Sequence, residues 1–61
     1  MNLYDAKGAL RARIDEDQNK KQIFDKTGRF MGFYDKRTDT THDKTGRLFG
    51  RGEQLALLLE N

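Results

Sequence analysis

The phrase Asp-Lys-Thr-Gly-Arg stands twice in this chain, at residues 25–29 and 43–47, and a looser copy, Asp5-Ala6-Lys7-Gly8, stands near its start. Aligned on Asp5, Asp25 and Asp43, the copies continue as AKGALRARID, KTGRFMGFYD and KTGRLFGRGE, spaced 20 and 18 residues apart. A recurrence of that period signals one supersecondary unit used several times. Asp suits the first position of a tight turn because its carboxylate accepts nearby backbone N–H groups. Gly8, Gly28 and Gly46, at the fourth position, supply the left-handed backbone that closes such a turn with a bulge. Each phrase therefore reads as a β-hairpin tip. The expected fold is mainly β: three consecutive β-hairpins, a meander of about six short strands, with a short C-terminal α-helix. The hairpin domain spans residues 1–52, with copies centred on 3–14, 23–34 and 41–52, and the helix spans 53–61.

The turn fixes cross-strand neighbours. Asp25 faces Arg29 and Asp43 faces Arg47, which predicts surface ion pairs worth at most ~1 kcal/mol each. One step further, Tyr4 faces Leu10, Phe24 faces Phe30 and His42 faces Leu48. Continuing by twos assigns Leu10, Ala12 and Ile14, then Phe30, Gly32 and Tyr34, then Leu48 and Gly50 to one core face. The small residue at Ala12, Gly32 and Gly50 predicts a close backbone approach or an aromatic ring lying across the strand. On the opposite face stand Leu3, Ile23, Met31, Phe33 and Phe49, beside Arg11, Arg13 and Arg51.

Residues 15–20 and 35–39 read as polar return turns between hairpins. The chain contains no Val, so intrinsic strand propensity is modest, and residues 9–22 also carry Leu10 and Ile14 at helical spacing. Alignment with the other two copies favours strands. The tail holds Leu55, Ala56, Leu57, Leu58 and Leu59, with Leu55, Leu58 and Leu59 on one helical stripe. Each buried Leu contributes ~2 kcal/mol. Two destinations stay open for that stripe: the chain's own sheet, or an interface in a homo-oligomer.

Composition narrows the function classes. Only 34% of the 61 residues are hydrophobic and 36% are charged, so the core is thin and burial against a partner would add stability. Cysteine is absent, which removes disulfides and thiolate metal sites. The chain begins at Met1 and reads as a complete open reading frame, with no leader and no apolar run of spanning length; a cytoplasmic location and no membrane partner are the expectations. The net charge is +2, concentrated in residues 23–52, where seven Lys and Arg face four Asp. With no Ser and no Cys, the usual nucleophile–base arrangements are unavailable. No catalytic residue, cofactor or metal is expected. His42 occupies the slot of Tyr4 and Phe24, where a ring packed beside Leu48 is the simplest role. Residues 15–26 lack the Gly and the closing Glu of a calcium loop, and DKTGR lacks the Gly-Lys-Thr order of a phosphate loop.

The stretches Tyr4-Asp5-Ala6-Lys7-Gly8, Phe24-Asp25-Lys26-Thr27-Gly28-Arg29-Phe30 and His42-Asp43-Lys44-Thr45-Gly46-Arg47-Leu48 resemble the YD repeats of RHS-type and teneurin-like β shells, over residues 3–52. Those shells use dozens of repeats and enclose a toxin domain, whereas this chain has three and carries Ala9 where the other copies have Arg. In scale it is similar to the small hairpin-repeat, β-flower-type proteins of bacteria, phages and mobile elements. That resemblance implies hairpin architecture and no catalytic residues. It also implies a phage or mobile-element accessory protein that binds and modulates a host protein.

Two candidate surfaces follow. Met31, Phe33 and Phe49 with Arg51 are the residue types of a protein-docking patch, large apolar groups beside a guanidinium. Lys26, Arg29, Lys44 and Arg47 at the tips form a basic rim that, with exposed Phe, suits nucleic acid. Leu55, Leu58 and Leu59 are the candidate oligomer interface. The leading expectation is a small non-enzymatic protein-interaction module acting as a homo-oligomer, and nucleic-acid binding is the alternative.

Overall fold

The computed structural model describes residues 1–60. Six antiparallel strands form one sheet in sequence order: β1 (Asn2–Tyr4), β2 (Leu10–Glu16), β3 (Lys20–Asp25), β4 (Phe30–Asp35), β5 (Thr40–Asp43) and β6 (Leu48–Arg51). The expected meander is present, and residues 9–22 contain strand rather than helix. Each tip is built as its sequence dictates. The Asp25 carboxylate accepts N–H bonds from Thr27 at 2.8 Å and Arg29 at 3.0 Å, and Asp43 accepts them from Thr45 at 2.9 Å and Arg47 at 3.1 Å. Asp5 takes the Lys7 and Ala9 amides in the same way. Gly8, Gly28 and Gly46 sit at φ 84°, 90° and 89°, the left-handed region that only Gly enters at little cost.

The predicted tip pairs are observed as Tyr4↔Leu10, Phe24↔Phe30 and His42↔Leu48. The predicted Asp25–Arg29 and Asp43–Arg47 ion pairs are not. Among the described residues the ion pairs are Arg13–Asp15 and Lys36–Glu16. The reason is local: each tip carboxylate is spent on backbone amides and a threonine hydroxyl, and Arg29 and Arg47 extend into solvent.

The core face needs a larger correction. Pairing runs Leu3↔Ala12 and then Tyr4↔Leu10, Ile23↔Gly32 and then Phe24↔Phe30, Thr41↔Gly50 and then His42↔Leu48. One residue is thus skipped in each hairpin, at Arg11, Met31 and Phe49. These β-bulges stand at the same place in every repeat, and each reverses which face the following residues address. Counting by twos across them gives the wrong answer. Leu10, Phe30 and Leu48 leave the core face, while Leu3, Ile23, Met31 and Phe49 join it. Ala12, Ile14, Gly32, Tyr34 and Gly50 stay as assigned. The buried core is Ala12, Ile14, Ile23, Leu55 and Leu58, with Leu3, Met31, Tyr34, Phe49 and Leu59 packed around it.

The tail covers this inner face as a 3₁₀ helix, η1 (Leu55–Glu60), where an α-helix was expected. Its six residues are too few for a self-supporting α-helix. With three residues per turn, Leu55 and Leu58 eclipse and point together into the sheet. The helix start is fixed from both sides. The Thr41 hydroxyl, itself buried, donates to the Gly52 carbonyl at 2.7 Å and accepts the Gln54 amide at 3.0 Å, while Glu53 accepts the Leu55 amide. Gly32 makes room for the His42 backbone carbonyl, the close backbone approach expected, and also for Leu58, whereas Gly50 makes room for the Gln54 side chain, which was neither of the two expected neighbours. Leu55 and Leu58 therefore belong to the chain's own core, and Leu59 is half-buried beside it. That placement removes Leu55 and Leu58 from the candidate oligomer interface.

At the opposite end from the tips, Lys36 ties the return turns together. Its amide donates to the Asn19 carbonyl at 2.9 Å, and its ammonium reaches Glu16 at 2.6 Å and the Asp17 carbonyl at 2.8 Å. The Lys36 contact holds the Glu16 carboxyl below its ordinary range, and the Asn19 and Lys20 amides do the same for Asp17. The Thr27 hydroxyl lowers Asp25 and the Thr45 hydroxyl lowers Asp43, each helped by turn amides. A carboxyl depressed in the folded state adds stability that is complete above its unfolded value, near pH 4. That stability drains as pH falls through the lower folded value. Thermal midpoints should stay level from pH 7 to ~5 and drop below ~4. In the double variant Asp25→Asn/Asp43→Asn, which keeps the acceptor oxygens but cannot titrate, the acid drop should be shallower. An unchanged drop would show that the tips contribute nothing to it.

Candidate binding face

The tail covers one face of the sheet, and no element covers the other among the described residues. The register places Tyr4, Leu10, Arg13, Phe24, Phe30, Phe33, His42 and Leu48 on this outer face. In a short, highly charged chain that is an unusual concentration of rings and leucines. Tyr4 is 59% exposed, Leu48 63% and Leu10 40%, and the phenylalanines are half-buried only by their neighbours. Apolar side chains gathered on one uncovered face make it the candidate binding surface.

The rings are ordered by cross-strand contacts. Phe24 meets Phe30 edge-on with centroids 5.7 Å apart, and the Arg13 guanidinium lies over the Phe24 ring at 4.6 Å. Phe33 stacks on His42 at 4.8 Å with only 13° between planes, and the Lys20 ammonium stands 5.8 Å from the Phe33 centroid. His42 is held further by Thr40 at 3.0 Å and by the Gly46 carbonyl at 3.3 Å. His42 stands opposite Leu48, as expected, and its ring packs on Phe33. These contacts occupy π-faces of Phe24 and Phe33.

The residues named from sequence fall in three places. Phe33 is on the outer face, and Arg51, opposite Thr40, addresses that face at the sheet margin. Met31 and Phe49 are bulge residues on the inner face, where they line an open cleft of about 420 Å³ with Asp43, Lys44, Thr45 and Leu58. The docking patch of Met31, Phe33, Phe49 and Arg51 is thus not one surface. Lys26, Arg29, Lys44 and Arg47 are all exposed, two at each of two hairpin tips, where the Asp25 and Asp43 carboxylates accept the Arg29 and Arg47 amides. The sequence reading missed Phe24, Phe30, Tyr4, Leu10 and Leu48 as surface groups. The signal that could have found them is Gly32 and Gly50, since glycine inside a strand marks a bulge as readily as a close approach.

Comparisons with family models, with curated proteins and with solved structures find no match to this chain. No helix among the described residues is long and apolar enough to cross a membrane, and no cluster of three or more His, Cys, Asp or Glu is placed to hold a metal ion.

Proposed function

We propose that this chain is a small non-enzymatic binding module that docks a protein partner on the outer face of its sheet. The observation that carries this reading is the uncovered row of Tyr4, Leu10, Phe24, Phe30, Phe33 and Leu48, flanked by Arg13 and Arg51. Large rings with arginine beside them are the groups that dominate protein–protein binding energy. Their arrangement argues against the nucleic-acid alternative. A base-stacking platform needs free ring faces, and here Arg13 stands over Phe24, and His42 and Lys20 over Phe33. Docking of this kind recruits or modulates the partner and transforms no substrate.

The test is affinity capture from a cell lysate with and without nuclease, using wild type, Phe33→Ala, and Lys26→Glu/Arg47→Glu. A stoichiometric protein partner should survive nuclease and weaken at least tenfold in Phe33→Ala, a loss of about 1.4 kcal/mol. The tip variant should bind as wild type. Capture of nucleic acid alone, lost on nuclease treatment and in the tip variant, would move the function to the basic rim.

A further inference from the structure

The pairing between hairpins follows a rule that the chain itself repeats. β2 meets β3 through Ala12↔Asp25, Arg13↔Phe24 and Ile14↔Ile23. β4 meets β5 through Gly32↔Asp43, Phe33↔His42 and Tyr34↔Thr41. Counted from the tip Asp of each repeat, these are the same positions. The residue seven places after one Asp opposes the next Asp, the eighth opposes the ring residue before it, and the ninth opposes the residue before that.

The third repeat has the donor half of this rule and no neighbour to apply it to. Gly50 and Arg51 on β6 occupy the seventh and eighth positions after Asp43, and β6 is an edge strand. The first repeat has the acceptor half. Tyr4 and Asp5 stand where Phe24 and Asp25 stand in the second, and β1 is the other edge.

The open backbone groups match as well. Met1 exchanges bonds with Ile14, its amine donating to the Ile14 carbonyl at 2.8 Å and its carbonyl accepting the Ile14 amide at 2.7 Å. Alternation along an antiparallel strand then turns the Asn2 and Tyr4 amides outward. On β6 the Gly52 amide binds the Asp39 carbonyl at 2.8 Å, which turns the Arg51 amide and carbonyl outward. The tail does not lie along this edge. Gly52, at φ 78°, bends the chain onto the inner face, where η1 packs on β4.

We infer that β6 of one copy pairs antiparallel with β1 of the next, head to tail, with Gly50 opposite the neighbouring copy's Asp5 and Arg51 opposite its Tyr4. The Arg51–Tyr4 contact repeats the Arg13–Phe24 contact made within the chain. The outer face then runs on unbroken from copy to copy. Because the two edges differ, the contact is heterologous and propagates as a ring or a filament rather than closing as a symmetric pair. The proposal is independent of what the outer face binds.

The chain has no cysteine, so a disulfide can report the register. A hydrogen-bonded antiparallel pair holds its Cα atoms ~5.5 Å apart, within disulfide reach. Isotopically distinct Tyr4→Cys and Arg51→Cys copies, mixed and oxidised, should give the mixed disulfide at least tenfold over either homodimer. A statistical mixture, or homodimers in excess, overturns head-to-tail pairing. Sedimentation of the wild-type chain up to ~1 mM should show concentration-dependent association. Asn2→Pro removes an outward amide and an exposed side-chain bond from Asn2 to the Tyr4 hydroxyl, neither part of the β1–β2 ladder, so it should stay folded by circular dichroism and remain monomeric. A wild-type chain that is monomeric throughout, or an Asn2→Pro variant that associates as wild type does, also overturns the proposal.

Discussion

Gly32→Ala should lower the thermal midpoint by 15 °C or more, the largest effect expected of any single methyl group in this chain. Gly32 lies at φ 153°, a conformation side chains rarely adopt. A Cβ there would collide with the His42 backbone carbonyl and stand 2.6 Å from Leu58 Cδ1. The carbonyl belongs to the β4–β5 ladder and cannot yield without breaking it. Leu58 Cδ1, the end of a side chain that borders the open cleft, can swing aside, so the carbonyl sets the cost. Backbone strain of 1–3 kcal/mol and overpacking of similar size add to about 2–6 kcal/mol. A chain of 61 residues has a total stability of about 3–9 kcal/mol. At ~4–8 °C per kcal/mol for a domain this small, the middle of the range of cost, about 4 kcal/mol, gives a drop of 15 °C or more. Gly50→Ala is the control, since its Cβ would meet the Gln54 side chain, which can swing aside. It should cost ~1 kcal/mol or less. Equal midpoints for the two variants would mean that the bulge at Met31 does not require Gly32.

The same glycine shows where sequence reasoning succeeds on this chain and where it stops. Hairpin tips are local: Asp25, Thr27 and Gly28 specify their own turn, so the tips, their cross-strand pairs and the strand order were legible from the repeat. Face assignment is not local in the same sense. One skipped residue, Met31, puts Phe30 on the face opposite to the one that counting by twos back from Gly32 and Tyr34 gives it, and Met31 carries no mark of its own. The mark is on Gly32, which sequence reads equally well as a bulge or as a landing place for another segment. It is both. The candidate site inherited that ambiguity. Phe33 was assigned to the surface and stands there, but Met31 and Phe49 were grouped with it although the bulges turn them inward. Phe24, Phe30 and Leu48 were assigned to the core and are what the outer face presents. The tail's leucines were legible as apolar, but their spacing fits an α stripe and a 3₁₀ stripe alike. Only the Thr41 hydrogen bonds and the short length choose between them.

Leu58→Glu should abolish the cooperative fold at neutral pH. Leu58 is 4% exposed and packs on Gly32 beside Met31 and Phe49. Removing its side-chain packing costs about 2–5 kcal/mol, and an unpaired carboxylate in its place adds several more. The sum meets or exceeds the stability a chain of this length can hold. Circular dichroism and one-dimensional NMR at pH 7 should therefore show an unfolded chain, whereas Leu57→Glu, at a position 48% exposed, should melt close to wild type. The substitution separates two roles for the tail. If these leucines joined copies instead of covering their own sheet, Leu58→Glu would leave a folded monomer with a sharp transition. Unfolding, together with folded and binding-deficient Phe33→Ala, would divide the sheet cleanly: the inner face spent on the tail to make a 61-residue chain stable, and the outer face left free for a partner.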